Sequence, residues 1–349
     1  MDKLNIAVVG CGYWGPNLIR NFNQIADFNM KVCCDLDPAK LERIKGLYPN
    51  VATTNRLEDI LRDPEIDAVS IATPVHTHMP IGRRCLESGK HVLIEKPLAA
   101  SVAEGVELVR LAEKYGRVLM VGHTFQYAAA VNKAKEIVES GELGEICYIN
   151  CMRANLGLFQ PDINVIWDLA PHDISIILYV LPEFPLSVNA QGKAHFKSPC
   201  EDVASLTLNF PNGTIAFIHN SWLHPDKVRK ITIVGSKKML EYDDISPNEK
   251  IKIYDKGLDL PPYYDTFAEF HFSYRYGDIF IPRINENEPL RCECEHFLEC
   301  IRDGKTPRSD GYNGLQIVSV LEAANKSLRN SGAPQSIDND CYYFIREVA

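Results

Sequence analysis

Long apolar runs are missing from this chain. Nothing in it approaches the ~20 consecutive apolar residues that a membrane-spanning helix needs, which argues against any membrane partner. Clusters of Lys and Arg are missing too. The 37 basic residues are outnumbered by 46 acidic ones, and the net charge of −9 speaks against nucleic acid, whose phosphates demand concentrated cations. An anionic substrate would need local rather than global positive charge. The opening Met1-Asp2-Lys3-Leu4 runs into an apolar stretch with no cleavable leader pattern, so the expected location is the cytoplasm. The eleven cysteines are odd in number and scattered, which is no disulfide framework and fits free thiols in a reducing compartment. Internal repeats and low-complexity segments are also lacking. What is present, 46% hydrophobic and 24% charged residues over 349 positions, describes an ordinary globular chain too long for one core, and two domains are expected.

Up to about residue 122, short apolar runs at 4–9, 30–34, 68–71, 91–94 and 118–121 alternate with helical patterns, the signature of parallel strands joined by crossover helices. Asp37-Pro38 opens one helix, and Ser101 with Glu104 forms a capping box opening another that ends near Gly116. After a helix near 131–140 the pattern turns to alternating stretches at 145–154, 186–194, 202–210, 214–222 and 228–242, with Asn212-Gly213 as a hairpin turn. Helices at 290–303 and 312–329 close the chain. The expected fold class is α/β: an N-terminal Rossmann, doubly wound parallel sheet (1–122), then an α+β domain with a large, mostly antiparallel open sheet (123–349). Strands with apolar residues on both faces predict that a partner subunit covers this second sheet, giving a homo-oligomer, a dimer or a tetramer.

Gly10-Cys11-Gly12-Tyr13-Trp14-Gly15 reads as G-x-G-x-x-G between a strand and a helix. Gly10 makes the tight turn, Gly12 lets the backbone approach a pyrophosphate, and Gly15 permits close packing beside a helix N-terminus that attracts anions. Asp35 ends the second strand 20 residues after Gly15, the spacing at which a carboxylate meets the adenosine ribose. Leu36 behind it brings no cation, so NAD is expected over NADP, with Lys40 and Arg43 close enough to leave the alternative open.

Thr73-Pro74, His78, Gly89-Lys90-His91-Val92, Glu95-Lys96-Pro97, Gly122-His123, Trp167-Asp168 with His172, and the late Phe297, Gly304, Pro307, Asp310 and Gly311 make the chain resemble the Gfo/Idh/MocA family of oxidoreductases over its whole length. The resemblance implies that Lys96, Asp168 and His172 are catalytic and face the nicotinamide. It adds Tyr13, Trp14, Leu36, Thr73, Pro74, His78, Glu95 and Lys96 to the cofactor-binding set of Gly10, Gly12, Gly15 and Asp35. Many members carry D-x-G-x-H-x-x-D where this chain has Asp168-Leu169-Ala170-Pro171-His172-Asp173-Ile174-Ser175, so the glycine and the final acid are replaced.

Lys96 just past a parallel strand suits stabilisation of alkoxide charge; the alternative is a surface lysine before a proline, whose peptide bond with Pro97 has an isomer that sequence does not reveal. Pro171 prefers a first helical position, which predicts a helix at 171–180 with His172 in its first turn, held neutral by the helix dipole and able to act as general base. Asp168 then lies outside the helix, binding a hydroxyl, orienting His172 or serving as N-cap. Arg153 suits either an anionic substrate group or a plain ion pair. Tyr127 suits either a sugar contact or buried packing. His76-x-His78 lacks a third ligand. Cys292, Cys294, His296 and Cys300 share a helix with Phe297, Leu298 and Ile301 at core spacing, so no metal is expected. The implied activity is hydride transfer between NAD and a ring carbon of a small-molecule sugar, by resemblance C3 of a nucleotide-activated sugar in surface-polysaccharide biosynthesis. A polyol or inositol dehydrogenase and a non-catalytic dinucleotide-sensing regulator are the alternatives.

Overall fold

The strands β1 (Leu4–Val9), β2 (Phe28–Cys34), β3 (Ala52–Thr54), β4 (Ala68–Ile71), β5 (His91–Glu95) and β6 (Leu119–Gly122) form one parallel sheet in the order β3-β2-β1-β4-β5-β6. All four residues of β4 and of β6 are buried, which is why these strands read as continuous apolar runs: helices cover both faces of a doubly wound sheet. The crossover helices are α1 (Gly15–Gln24), α2 (Pro38–Leu47), α3 (Leu57–Arg62), α4 (His78–Glu87) and α5 (Val102–Lys114). The Asp37 carboxylate caps α2 through the Ala39 N–H at 2.9 Å. Ser101 caps α5 through the Glu104 N–H, and the Glu104 carboxylate reaches back to the Ala100 N–H, one residue before the cap.

This computed structural model describes residues 3–157, 159, 163–196, 200–259, 273–285 and 287–337. The parallel sheet belongs to a unit built on Met1–Tyr127 and Asn287–Glu322, whereas Ala128–Glu286 and Ala323–Ile337 form a second. The sequence places one boundary at 122/123 and assigns everything after it to one domain; the structure instead returns a late segment to the first unit. The cause is packing: Leu290, Cys294, Phe297 and Leu298 of α8 (Pro289–Asp303) join Leu18, Phe22 and Ile25 in one buried cluster, and the Val121 N–H donates to Ser309 O at 2.8 Å. Burying a side chain such as Phe22 or Phe297 contributes about 1.5–3 kcal/mol, so several such side chains together outweigh the roughly 4–5 kcal/mol of loop closure.

The second unit carries α6 (Ala129–Glu139), α7 (Val165–Val180) and a nine-stranded sheet. Its strands are β7 (Ile146–Leu156), β8 (Ser187–Lys193), β9 (Val203–Asn209), β10 (Ile215–Ser221), β11 (Leu223–Gly235), β12 (Met239–Asp243), β13 (Ile251–Asp259), β14 (Ser273–Phe280) and β15 (Gln335–Ser336), ordered β14-β13-β12-β11-β7-β10-β9-β8-β15. Every pair is antiparallel except β7 with β10. The β9–β10 hairpin turns at Asn212-Gly213, where Gly213 has φ +86° and Phe210 N–H donates to Thr214 O. The stretch 228–242 is two strands rather than one, split by a turn in which the Gly235 N–H donates to Lys238 O at 3.0 Å. Strands β3, β13, β14 and β15 are not among the sequence expectations. Tyr148 and Phe217 stand exposed beside each other on neighbouring strands of this sheet, ring centroids 6.5 Å apart. The last helix, α9 (Gly311–Arg329), contributes to both units. No helix among the described residues is long and apolar enough to cross a membrane.

Helix α7 departs most from expectation. Asn164 is its N-cap, accepting the Trp167 N–H at 3.1 Å, so the helix starts six residues before Pro171. Pro171 is tolerated inside it, although its missing N–H leaves the Trp167 carbonyl without the usual i+4 donor. Asp168 is therefore in the first turn rather than outside the helix or at its cap. His172 lies beyond that turn, where the dipole effect has faded, and the expectation that the helix N-terminus keeps its imidazole neutral loses its basis.

Candidate active site

In the first unit the glycine loop connects β1 to α1 beside the point where the strand order reverses between β1 and β4, the usual ligand crevice of such sheets. Gly10 has φ +97°, and a Cβ there would lie 2.4 Å from Ala72 O; a Cβ at Gly15 would lie 1.9 Å from Gly10 O. Gly12 differs: a Cβ there would meet nothing within 4 Å, so the space over it is open to a ligand. The Asp35 carboxylate accepts the Cys11 N–H at 2.7 Å and the Asp37 N–H at 2.9 Å, with Lys40 Nζ 3.7 Å away. Turn, open glycine, helix N-terminus and acid at the end of β2 fit the adenosine diphosphate half of NAD. Tyr13 and Leu36 are exposed at 84% and 87%, available to flank that half, whereas Trp14 is partly buried against the unit's core.

The loops after β4 and β5 are joined by His78, whose ring nitrogens lie 2.9 Å from Pro97 O and 2.8 Å from Thr73 O. Burial lowers the His78 pKa despite those two carbonyls, because a charged imidazole would lose its hydration. Thr73 itself is bonded to the Thr77 hydroxyl at 2.6 Å, and Pro74 precedes a 3₁₀ turn at Val75–Thr77. Lys96 follows β5 directly and is joined to Pro97 by a cis peptide bond. Glu95, the last residue of β5, rests on Gly122: a Cβ at 122 would come within 3.1 Å of all three carboxyl atoms, which explains the glycine of Gly122-His123. Burial pushes the Glu95 carboxyl up to about 7, against the pull of the Lys96 ammonium.

Behind this edge lies an acid that sequence reasoning missed. Glu293 on α8 is 0% exposed, accepts the Thr124 hydroxyl at 2.9 Å, and is raised well above the usual carboxylate range by burial and by the nearby Glu95. A signal existed, since Glu293 falls on the same core-facing stripe as Leu290 and Phe297. His123 is also buried, and desolvation together with the Lys96 charge lowers it to about 3. Tyr127 is buried with its hydroxyl 3.2 Å from Ser309 Oγ and the Arg308 guanidinium over its ring, which matches the packing alternative.

In the second unit, Asp168 and His172 occupy one face of α7, one turn apart. The indole N–H of Trp222, another residue that sequence reasoning missed, donates to Asp168 Oδ2 at 3.0 Å. Gly157 is required beneath that indole, since a Cβ would sit 2.6 Å from Trp222 Cδ1. No local sequence signal marks Trp222, because its partner is 54 residues away. Arg153, on β7, is 2% exposed, and both its Nε and Nη2 reach Asp173 Oδ1, at 3.0 and 2.9 Å. This is the ion pair that the sequence offers as one use of Arg153. Among the described residues no group of three or more His, Cys, Asp or Glu could hold a metal, and the ten described cysteines are free thiols. His296 accepts the Arg308 N–H at 3.0 Å and lies 3.4 Å from Cys300 Sγ, a packing arrangement at the end of α8.

Residues 4–123 match the family described as "Oxidoreductase family, NAD-binding Rossmann fold", and residues 131–241 match the GFO/IDH/MocA C-terminal domain. The chain is 27% identical to the uncharacterised oxidoreductase YrbE of Bacillus subtilis, over 95% of this chain and 96% of that protein. It is 26% identical to the scyllo-inositol 2-dehydrogenase (NAD(+)) of the same organism, over 96% and 97%. The UDP-N-acetylglucosamine 3-dehydrogenase of Acidithiobacillus ferrooxidans is 27% identical over 73% of this chain and 77% of its own. Its solved structure superimposes with a TM-score of 0.79, covering 95% of this chain and 99% of that one, at 23% identity over the aligned residues.

Proposed function

Since the chain belongs to the Gfo/Idh/MocA family of NAD-binding oxidoreductases, we propose that it oxidises or reduces one ring carbon of a sugar, C3 of a nucleotide-activated sugar in surface-polysaccharide biosynthesis. NAD, when bound, supplies the hydride acceptor or donor at C4 of its nicotinamide. The protein's own groups handle the oxygen. In the oxidative direction His172 takes the hydroxyl proton on an imidazole nitrogen, and the Lys96 ammonium stabilises the charge that develops on that oxygen. Asp168, held by the Trp222 indole, binds a neighbouring hydroxyl or orients His172. Thr73, Pro74, His78 and Glu95 shape the nicotinamide end of the cofactor cleft, and Gly10, Gly12, Gly15 and Asp35 the adenosine end.

The observation that carries this reading is the pairing of Asp168 with His172 one turn apart on α7, in a chain that also keeps Lys96 immediately after β5. A dinucleotide-sensing regulator would need none of the three. The similarity to the 3-dehydrogenase supports a nucleotide sugar, and the similarity to the inositol dehydrogenase supports a free polyol as the second reading. The protein works in the cytoplasm as a homo-oligomer, a dimer or tetramer, joined through the face of the second unit's sheet that exposes Tyr148 and Phe217.

Mixing the pure protein with NAD and a panel of nucleotide sugars and polyols, while following nicotinamide absorbance, tests the reading. Turnover of a nucleotide sugar supports it, and turnover of an inositol alone moves the assignment to the polyol reading. Tight NAD binding with no turnover of any panel member contradicts an enzymatic role and favours the sensor.

A further inference from the structure

We infer that Phe159 and Phe196 form a stacking subsite for the planar base of a nucleoside diphosphate, built outward from Trp222 in the second unit. Trp222 is 1% exposed, and its indole holds Asp168. Phe159 lies 5.5 Å from the indole, ring centre to ring centre, at 58° between planes, and Phe196 lies 5.8 Å from Phe159, edge to face at 70°, so the pair makes an aromatic corner in which a base lies flat on one ring and meets the edge of the other. Both phenylalanines are exposed, at 44% and 62%, although large aromatic rings are normally drawn into the core.

The rings sit on segments that the backbone fixes to the same tryptophan. The Gly157 N–H donates to Trp222 O at 3.0 Å on one side, and the Trp222 N–H donates to Asp202 O at 2.9 Å on the other. Asp202, 0% exposed, then accepts the backbone N–H groups of His195 and Phe196 and lies 2.8 Å from His195 Nδ1. Burial opposes ionisation of Asp202, yet His195 and those N–H groups hold its carboxyl below the usual range, so the carboxylate pins the segment that presents Phe196. The His195 side chain is 51% exposed, and with Nδ1 turned to Asp202 its Nε2 edge can meet a phosphate oxygen.

The order of the parts selects the ligand. On the proposed reading the reacting sugar lies at Asp168, and from the Trp222 indole that holds this residue the rings grow more exposed, from 1% through 44% at Phe159 to 62% at Phe196, which suits the solvent-facing nucleoside end of an activated sugar. A base stacks on aromatic faces whatever its identity, so the site selects the class, a nucleoside diphosphate, rather than one base.

The inference rests on the nucleotide-sugar reading given above and is tested by titrating the NAD-loaded, full-length protein with uridine diphosphate and guanosine diphosphate in a calorimeter. Binding to the wild type is expected, weakened ~10-fold by Phe159→Leu or by Phe196→Leu and further by the double variant, with NAD affinity unchanged. Equal diphosphate affinity in wild type and variants overturns the stacking subsite and leaves the nucleotide-sugar reading standing. No diphosphate binding to the wild type overturns both. A change of sedimentation coefficient in the variants assigns the rings to subunit contact and also overturns the inference.

Discussion

The Trp222 indole donates its only N–H to the Asp168 carboxylate at 3.0 Å, from a ring that is 1% exposed and seated on Gly157. An indole so buried cannot exchange that partner for water, so it fixes the carboxylate on the face of α7 that also carries His172. Trp222→Phe keeps an aromatic ring and removes the donor. The substitution is expected to lower kcat/KM ~10-fold while NAD affinity holds, since a hydrogen bond to a charged group contributes ~1.5–3 kcal/mol. In an Asp168→Ala background the same change is expected to cost almost nothing. Equal losses in the two backgrounds would show that Trp222 acts only as packing.

The glycine loop separates folding from binding. Gly15→Ala forces a methyl group to 1.9 Å from Gly10 O and is expected to lower Tm by several degrees. Gly12→Ala meets no atom within 4 Å and leaves Tm unchanged, yet it fills space that the pyrophosphate needs. Loss of NAD affinity by ~10-fold or more in Gly12→Ala with unaltered melting is the expected result of calorimetry on that variant. Unaltered affinity would mean the dinucleotide lies elsewhere.

Arg153 and Asp173 form an ion pair with side-chain exposures of 3% and 1%. Arg153→Met strands a buried carboxylate and is expected to cost ~3–5 kcal/mol in chemical denaturation, whereas Arg153→Met with Asp173→Leu recovers most of it. A substrate-gripping arginine would behave differently: Arg153→Met would raise KM and leave stability alone.

Glu293 gives the protein a pH signature. A carboxyl whose pKa is raised on folding keeps its proton in the native state where the unfolded chain has released it, so stability falls as pH rises above the unfolded value near 4.5. The slope is ~1.4 kcal/mol per pH unit until the folded pKa is passed. Glu293→Gln retains an acceptor for the Thr124 hydroxyl and cannot ionise. Its Tm advantage over the wild type is expected to grow between pH 5 and pH 8; a constant difference would contradict the buried, protonated acid.

The sequence was most legible where local chemistry and tertiary structure agree. Strands 4–9 and 68–71 match β1 and β4 to the residue because both are buried apolar runs, and Asn212-Gly213 announces its hairpin through a backbone conformation that glycine adopts freely. The Asp37 and Ser101 caps were readable for the same reason. Where two local signals competed, the weaker in appearance won: Pro171 looked like a helix start, but Asn164 starts α7 and the proline is carried inside. Strand β13 alternates only over Ile251-Lys252-Ile253 before Asp255, Lys256 and Gly257 break the pattern, too short a run to announce it. Within the candidate site, Gly10, Gly15 and Asp35 carry motif spacing and Glu293 carries the periodicity of a core-facing helix stripe, whereas the partnership of Trp222 with Asp168 arises from folding and has no local pattern.

In the proposed reaction Lys96 and His172 act on one oxygen beside the nicotinamide. Steady-state turnover of Lys96→Met, measured with the substrate that the panel identifies and paired with a direct NAD titration, addresses this most directly. Loss of at least ~100-fold in kcat with NAD affinity and melting temperature preserved is the expected result. Ordinary turnover in that variant would contradict the assignment.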